Sequence, residues 1–161
     1  MVRIISGRFR GRRLSRPSGA DVRPTSDRVR TALFNILGTW LKDARVLDAY
    51  AGAGAIGFEC LSRGVAEVTF IEQRATAVAA LQNNARLLAV EHAVRIVAND
   101  VLKALPLLRG RHVDLIYADP PYRDLNLPVL LGALRDADVA HDESVLVLEH
   151  ASAAGINQDA A

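Results

Sequence analysis

The chain has 161 residues, half of them hydrophobic, and a net charge of +2, which suits one domain with a packed core and excludes a disordered composition. Its longest apolar runs, VDLIYA and SVLVLEH, are strand-sized and fall short of the roughly 20 residues that span a bilayer. The start, MVRIISGRFR, has no apolar leader segment, and the lone Cys60 excludes an internal disulfide and reads as a small buried hydrophobe, so a cytoplasmic location is expected.

Charge is unevenly placed along the chain. Residues 1–30 hold nine arginines against Asp21 and Asp27, about +7, which leaves about −5 for the remainder. Such an arm suits a polyanion, because guanidinium forks bind phosphate in pairs of hydrogen bonds and also stack on bases. A solvated arm that only aids solubility is the plainer alternative. Residues 1–22 are taken as the arm and 23–161 as the main domain. Within the arm, RIISGRFRGRRLSRP alternates apolar and basic residues around Gly7 and Gly11 and predicts a short β-hairpin, then a turn. Thr25 or Ser26 is positioned to cap a helix with Val29, Leu33, Ile36, Leu37 and Trp40 at helical spacing.

From residue 45 the pattern alternates strand and helix. Strands are expected at 45–50, 67–72, 94–99, 113–119 and 144–150, with helices over AIGFECLSRG, ATAVAALQNNARLLAV, a short piece near LKALPLL, and LNLPVLLGALRDA. The strands are nearly continuous apolar runs, as in a parallel sheet covered on both faces. The predicted class is therefore α/β, a Rossmann-like doubly wound sheet with ligands beyond the carboxyl ends of its strands.

Three motifs sit at those ends. Gly52, Gly54 and Gly57 match G-x-G-x-x-G between a strand and a helix, a turn that brings ligand close to backbone. Asp48 precedes them, where a carboxylate suits the ammonium of a methionine moiety and repels a pyrophosphate. Glu72 closes the next strand and can accept from both hydroxyls of a ribose, whether of S-adenosylmethionine or of NAD. Asp100 and Val101 follow the third strand: Asp100 suits either an adenine amino group or a helix cap. The fourth strand runs into Asp119-Pro120-Pro121-Tyr122. Two prolines remove two N–H donors and leave an acceptor-rich corner of the Asp119 carboxylate and Pro120 carbonyl. Those acceptors can take the two hydrogens of an exocyclic amine on a base and aim its lone pair at a methyl group. Tyr122 offers a face on which an extruded base can stack.

With RIISGRFRGRRL, VRPTSDRVRTALFNIL, LDAYAGAGAIGFECLSRG, FIEQ and YADPPY, the chain resembles the RsmD family of small-subunit ribosomal RNA guanine-N2 methyltransferases. The resemblance implies the class I methyltransferase sandwich, S-adenosylmethionine as cofactor and S-adenosylhomocysteine as product. It places Arg23, Pro24 and Thr25 near the methionine end, Asp48, Ala49, Gly52 and Gly54 along the cofactor, Glu72 and Gln73 at the ribose, and Asp100 and Val101 at the adenine. Asp119 to Tyr122 would take the guanine, and Arg3, Arg8, Arg10, Arg12 and Arg13 would grip ribosomal RNA or the small subunit. Neither membrane nor metal is called for: the four histidines are scattered, without metal-ligand spacing. Family members continue past the fifth strand into a final antiparallel hairpin, whereas this sequence ends eleven residues after His150. An uncovered sheet edge is therefore expected there.

Other functions explain fewer residues. Methylation of adenine N6 in DNA would use the same DPPY. An NAD-dependent oxidoreductase leaves DPPY and the arginine arm idle, and a non-catalytic RNA-binding factor leaves the cofactor residues idle.

Overall fold

A computed structural model describes residues 2–18, 26–121 and 126–149. At the start, β1 (Val2–Arg3) and β2 (Arg13–Leu14) pair antiparallel, Val2 opposite Leu14. The connecting turns close through Gly11 N–H to the Ile4 carbonyl (2.9 Å) and Arg10 N–H to the Gly7 carbonyl (3.2 Å). Val2, Ile4 and Leu14 are buried in the main core, so the basic hairpin is anchored by its apolar alternate residues.

Helix α1 (Asp27–Leu37) is capped by Ser26, whose Oγ accepts from Val29 N–H. The buried face of α1 keeps Leu33 and Leu37 from the stripe its apolar spacing predicts but is rotated away from the rest of it. Arg30, Phe34 and Leu37 point inward, whereas Val29 and Trp40 are about half exposed and Ile36 is 84% exposed. Both stripes have helical period. Docking of the hairpin beside α1 selects between them, because Arg30 Nη2 donates to the Arg3 carbonyl (2.8 Å) and to Asp27 (2.7 Å).

The remaining strands are β3 (Arg45–Ala49), β4 (Glu67–Ile71), β5 (Val94–Val97), β6 (Val113–Ala118) and β7 (Ala140–Leu148). They form one fully parallel sheet in the order β5-β4-β3-β6-β7. Helices α2 (Ala55–Ser62), α3 (Ala75–Leu87), α4 (Val101–Ala104) and α5 (Leu127–Asp136) connect them. The doubly wound class expected from the sequence is what the chain adopts. Alternation along each strand serves two cores. Val46, Val68, Phe70 and Leu115 face α1, α2 and α3, while Leu47, Ile71 and Ile116 face α4 and α5. Strand order reverses between β3 and β6, which opens a crevice at their carboxyl ends.

Most strands stop one or two residues before their expected ends, because the following residue turns into the ligand-side loop. β7 also stops two residues early, at Leu148, but differs from the others in starting at Ala140 rather than Ser144. Its first residues, Ala140 to Glu143, are too polar to read as strand. They are held by a bulge in which Val113 pairs with Ala140 and Leu115 with Val145. His141 Nε2 meets Asp114 Oδ1 at 3.0 Å, and Ser144 Oγ donates to the Val113 carbonyl at 2.7 Å. Among the described residues β7 pairs only with β6, and Val145 and Leu146 are partly exposed on it. His150 and the ASAAGINQDAA segment lie outside the described residues.

Candidate active site

The first wall of the site is the turn from β3 into α2. Tyr50 takes a left-handed φ of 63°, uncommon for a residue with a side chain, and Gly52 and Gly54 follow at 57° and 80°. Gly54 caps α2. A Cβ on Gly57 would lie 2.2 Å from Phe70 Cε1, so the third glycine exists to let α2 lie against β4. Asp48 is only 2% exposed, and its Oδ2 accepts from Gly57 N–H at 3.0 Å. Burial pushes its carboxyl up to about 8, with repulsion from Asp119 and Glu72 adding to the rise and the Gly57 hydrogen bond opposing it.

Glu72 closes β4 and is already engaged. Its Oε2 accepts from Gly52 N–H (2.8 Å) and its Oε1 from the Arg74 N–H and Nε (2.8 and 3.1 Å). It therefore fixes the glycine turn, and a carboxylate oxygen with one bond retains capacity for a hydroxyl. Beyond β5, Asn99 and Val101 face the same space. Asp100 accepts from Lys103 N–H at 3.2 Å as the N-cap of α4, and its side chain is not on the cavity wall.

Opposite the turn, β6 delivers Asp119, Pro120 and Pro121. Asp119 is half-buried, and burial followed by the charge of Glu149 raises its carboxyl to about 6. Glu149 itself follows β7: its N–H donates to the Ala118 carbonyl at 2.9 Å, and its Oε1 accepts from Tyr117 Oη at 2.5 Å.

These residues surround one cavity of about 810 Å³, within the range of cofactor sites. Asp48, Gly52, Glu72, Gln73, Val101, Asp119, Pro120 and Pro121 all line it. Ala49 and Gly54 sit one layer behind, shaping the turn. Arg23, Thr25 and Tyr122 lie outside the described residues. Arg3, Arg8, Arg10, Arg12 and Arg13 are exposed on the hairpin, away from the cavity wall. Arg8 stacks 4.4 Å over the Phe9 ring. Arg30, counted with the basic arm, is fully buried and faces no phosphate.

Sequence reasoning missed Asn99, Tyr117, Glu149, Arg16 and Ser26 on the wall. For Glu149 a signal existed, a carboxylate ending a parallel strand on the ligand side. For Arg16 and Ser26 there was none, since their approach depends on how the hairpin docks.

A family model described as "Conserved hypothetical protein 95" matches residues 2–161. The chain belongs to this family, the RsmD family. The ribosomal RNA small subunit methyltransferase D of Escherichia coli K12 is 38% identical over 149 residues, 92% of this chain and 74% of that protein. The solved structure of Escherichia coli yhhF superposes with a TM-score of 0.85 at 34% identity, covering 98% of this chain and 86% of its own. A hypothetical protein of Thermus thermophilus gives a TM-score of 0.80 at 33% identity, over 93% and 86%.

In this RsmD-family chain, two buried polar residues bind the N-terminal segment to the site. Glu59 on α2 accepts from Ile5 and Ser6 N–H (2.7 and 3.0 Å) and from Arg63 Nε (2.9 Å), with Arg30 Nη1 4.0 Å away. Asn84 on α3 accepts from Ser15 N–H (2.7 Å) and donates to the Ser15 and Ala53 carbonyls (both 3.1 Å). Arg16 and Pro17, next in the chain, are thereby held at the cavity mouth.

Proposed function

We propose that this chain is an S-adenosylmethionine-dependent methyltransferase acting on the exocyclic N2 of a guanine in small-subunit ribosomal RNA. One observation carries the reading: the acceptor corner of Asp119 and Pro120 shares a single cavity with the glycine turn, Asp48 and Glu72. A corner buried under side chains, or turned away from the glycines, would have removed it.

The donor set fits the cofactor. Gly52 has open space at its Cβ position, with only Arg74 Nη2 at 3.9 Å, so a ligand can lie against its backbone. Asp48 suits a cationic amino group, and Glu72 suits a pair of ribose hydroxyls. When bound, S-adenosylmethionine supplies a sulfonium methyl: the N2 lone pair forms the new N–C bond as the S–C bond breaks, and its electron pair stays on sulfur as a thioether. Asp119 and the Pro120 carbonyl hold the two N2 hydrogens and so orient the lone pair. N2 becomes acidic as it alkylates, and the Asp119 carboxylate, raised to about 6, can take the departing proton near neutral pH. The exposed hairpin arginines supply phosphate contacts that strengthen at low salt. The RNA substrate is read from the names of the relatives, and the amine chemistry from the corner itself.

Calorimetry with S-adenosylhomocysteine tests the cofactor half, with binding expected for the native chain and a loss of about 100-fold in Glu72→Ala, about 2.7 kcal/mol. Methyl transfer to small subunits from cells lacking the protein, compared with naked DNA, tests the substrate half. Methylation of DNA adenine alone would overturn the guanine reading, and absence of S-adenosylhomocysteine binding would overturn both.

A further inference from the structure

Glu149 has no role in the chemistry above, yet it is tied to the corner by three independent features. Its backbone N–H is fixed to the Ala118 carbonyl, one residue before Asp119. One carboxylate oxygen is held by the hydroxyl of Tyr117, whose side chain is buried in the main core. Among the described residues none donates to the other oxygen, Oε2, and the residue lines the cavity beside Asp119 and Pro120. The carboxylate is close enough for its charge to add to the rise of the Asp119 pKa. Two carboxylates on one wall repel each other unless the ligand between them brings hydrogens to both.

The edge that satisfies both belongs to guanine. Beside the 2-amino group, guanine carries N1–H, a further donor pointing the same way. Adenine presents its amino group beside N1 as an acceptor, whose lone pair would face Glu149. We propose that Glu149 is the base-selecting residue, its Oε2 accepting the N1–H of the target guanine while Asp119 and Pro120 take the N2 hydrogens. Tyr117 is the positioning residue that keeps the other oxygen occupied and the carboxylate aimed. The proposal rests on the guanine methyltransferase reading and adds how guanine is told from other amino-bearing bases.

The test uses 2-aminopurine, which keeps the 2-amino group but has an acceptor at N1. Mass spectrometry of RNA from cells lacking the protein locates the target position. Small-subunit RNA is then ligated with guanine or 2-aminopurine at that position. For the native chain, kcat/KM is expected to favour guanine by about 10- to 100-fold. In Glu149→Gln the amide can turn its NH2 toward the N1 acceptor, and the preference is expected to shrink at least about tenfold. Tyr117→Phe, which frees the carboxylate, is expected to give an intermediate preference and keeps the test decisive should Glu149→Gln not bind S-adenosylhomocysteine. Equal rates on the two RNAs by the native chain, or one unchanged preference in both variants, would overturn the proposal and leave the methyltransferase reading intact. No transfer to the guanine RNA by the native chain would instead remove the reading on which it rests.

Discussion

On the proposed function, Asp48 should make cofactor binding depend on pH. In the empty cavity its carboxyl sits at about 8, so it is largely protonated at neutral pH. A cationic amino group next to it requires the ionised form. Binding below pH 8 must therefore expel a proton, at a cost of about 1.4 kcal/mol for every pH unit below the raised value. S-adenosylhomocysteine should bind more tightly as pH rises from 6 to 8, by up to about tenfold per unit, and level off above that. Asp119 titrates near 6, so the interval from pH 7 to 8 isolates Asp48. Stability of the empty protein runs the other way. A carboxyl raised by folding contributes fully below the ordinary value of 3.8 and loses that contribution as pH climbs through about 8. The melting temperature without ligand should fall across this window while the upshift caused by ligand grows. Titration calorimetry in two buffers of different ionisation enthalpy measures the released proton directly. Asp48→Asn should bind weakly and without this pH dependence. Affinity unchanged from pH 7 to 8, with no proton released, would refute the reasoning.

Three further outcomes concern the frame. Gly57→Ala drives a Cβ to 2.2 Å from Phe70 Cε1 and should destabilise by about 1–3 kcal/mol or more, read from the urea midpoint. Glu59→Ala strips Ile5 N–H, Ser6 N–H and Arg63 of their buried acceptor and removes the second carboxylate near Arg30, leaving it only Asp27, and should cost about 3–5 kcal/mol by chemical denaturation. Asn84→Ala removes both backbone bonds of Ser15 to α3, leaving only Asn83 Nδ2 on its hydroxyl, and should cost about 1–3 kcal/mol, with weaker S-adenosylhomocysteine binding because the Ala53 carbonyl of the glycine turn loses its donor.

The features legible from sequence are those whose physics is local. The strands showed as apolar runs, the glycine turn as spacing, and Asp119-Pro120-Pro121 as a corner that prolines define without help from other elements. What depended on distant partners was hidden. Glu149 gains meaning only when β7 lies beside β6 and Tyr117 reaches across 32 positions of sequence. Arg30 sits in a run of arginines and resembles them all, yet the Arg3 carbonyl, Asp27 and Glu59 draw it inside. On α1 two apolar stripes competed, and nothing in a helix alone says which will meet the hairpin. Asp100 had two readings at a strand end: its Oδ1 caps α4, and its side chain is not on the cavity wall.

The hairpin and the cofactor turn are coupled through one short helix. α2 is capped by Gly54, within the turn, and ends at Ser62, which holds the hairpin. There Ser62 accepts from Phe9 N–H (2.9 Å), donates to the Ser6 carbonyl (2.5 Å) and offers its own carbonyl to Arg8 N–H (2.8 Å). A Cβ on Gly7 would fall 1.9 Å from that carbonyl, so hairpin and helix meet backbone to backbone. Eight residues of helix span about 12 Å, and a helix packed on both sides does not bend over that distance. The arginines that would meet phosphate are thus held at a set distance from the turn that would hold the methyl donor. On the proposed function, an RNA gripped by the hairpin would present only nucleotides at the matching offset to the Asp119 corner, so the hairpin would act as a gauge for target selection as well as a source of affinity.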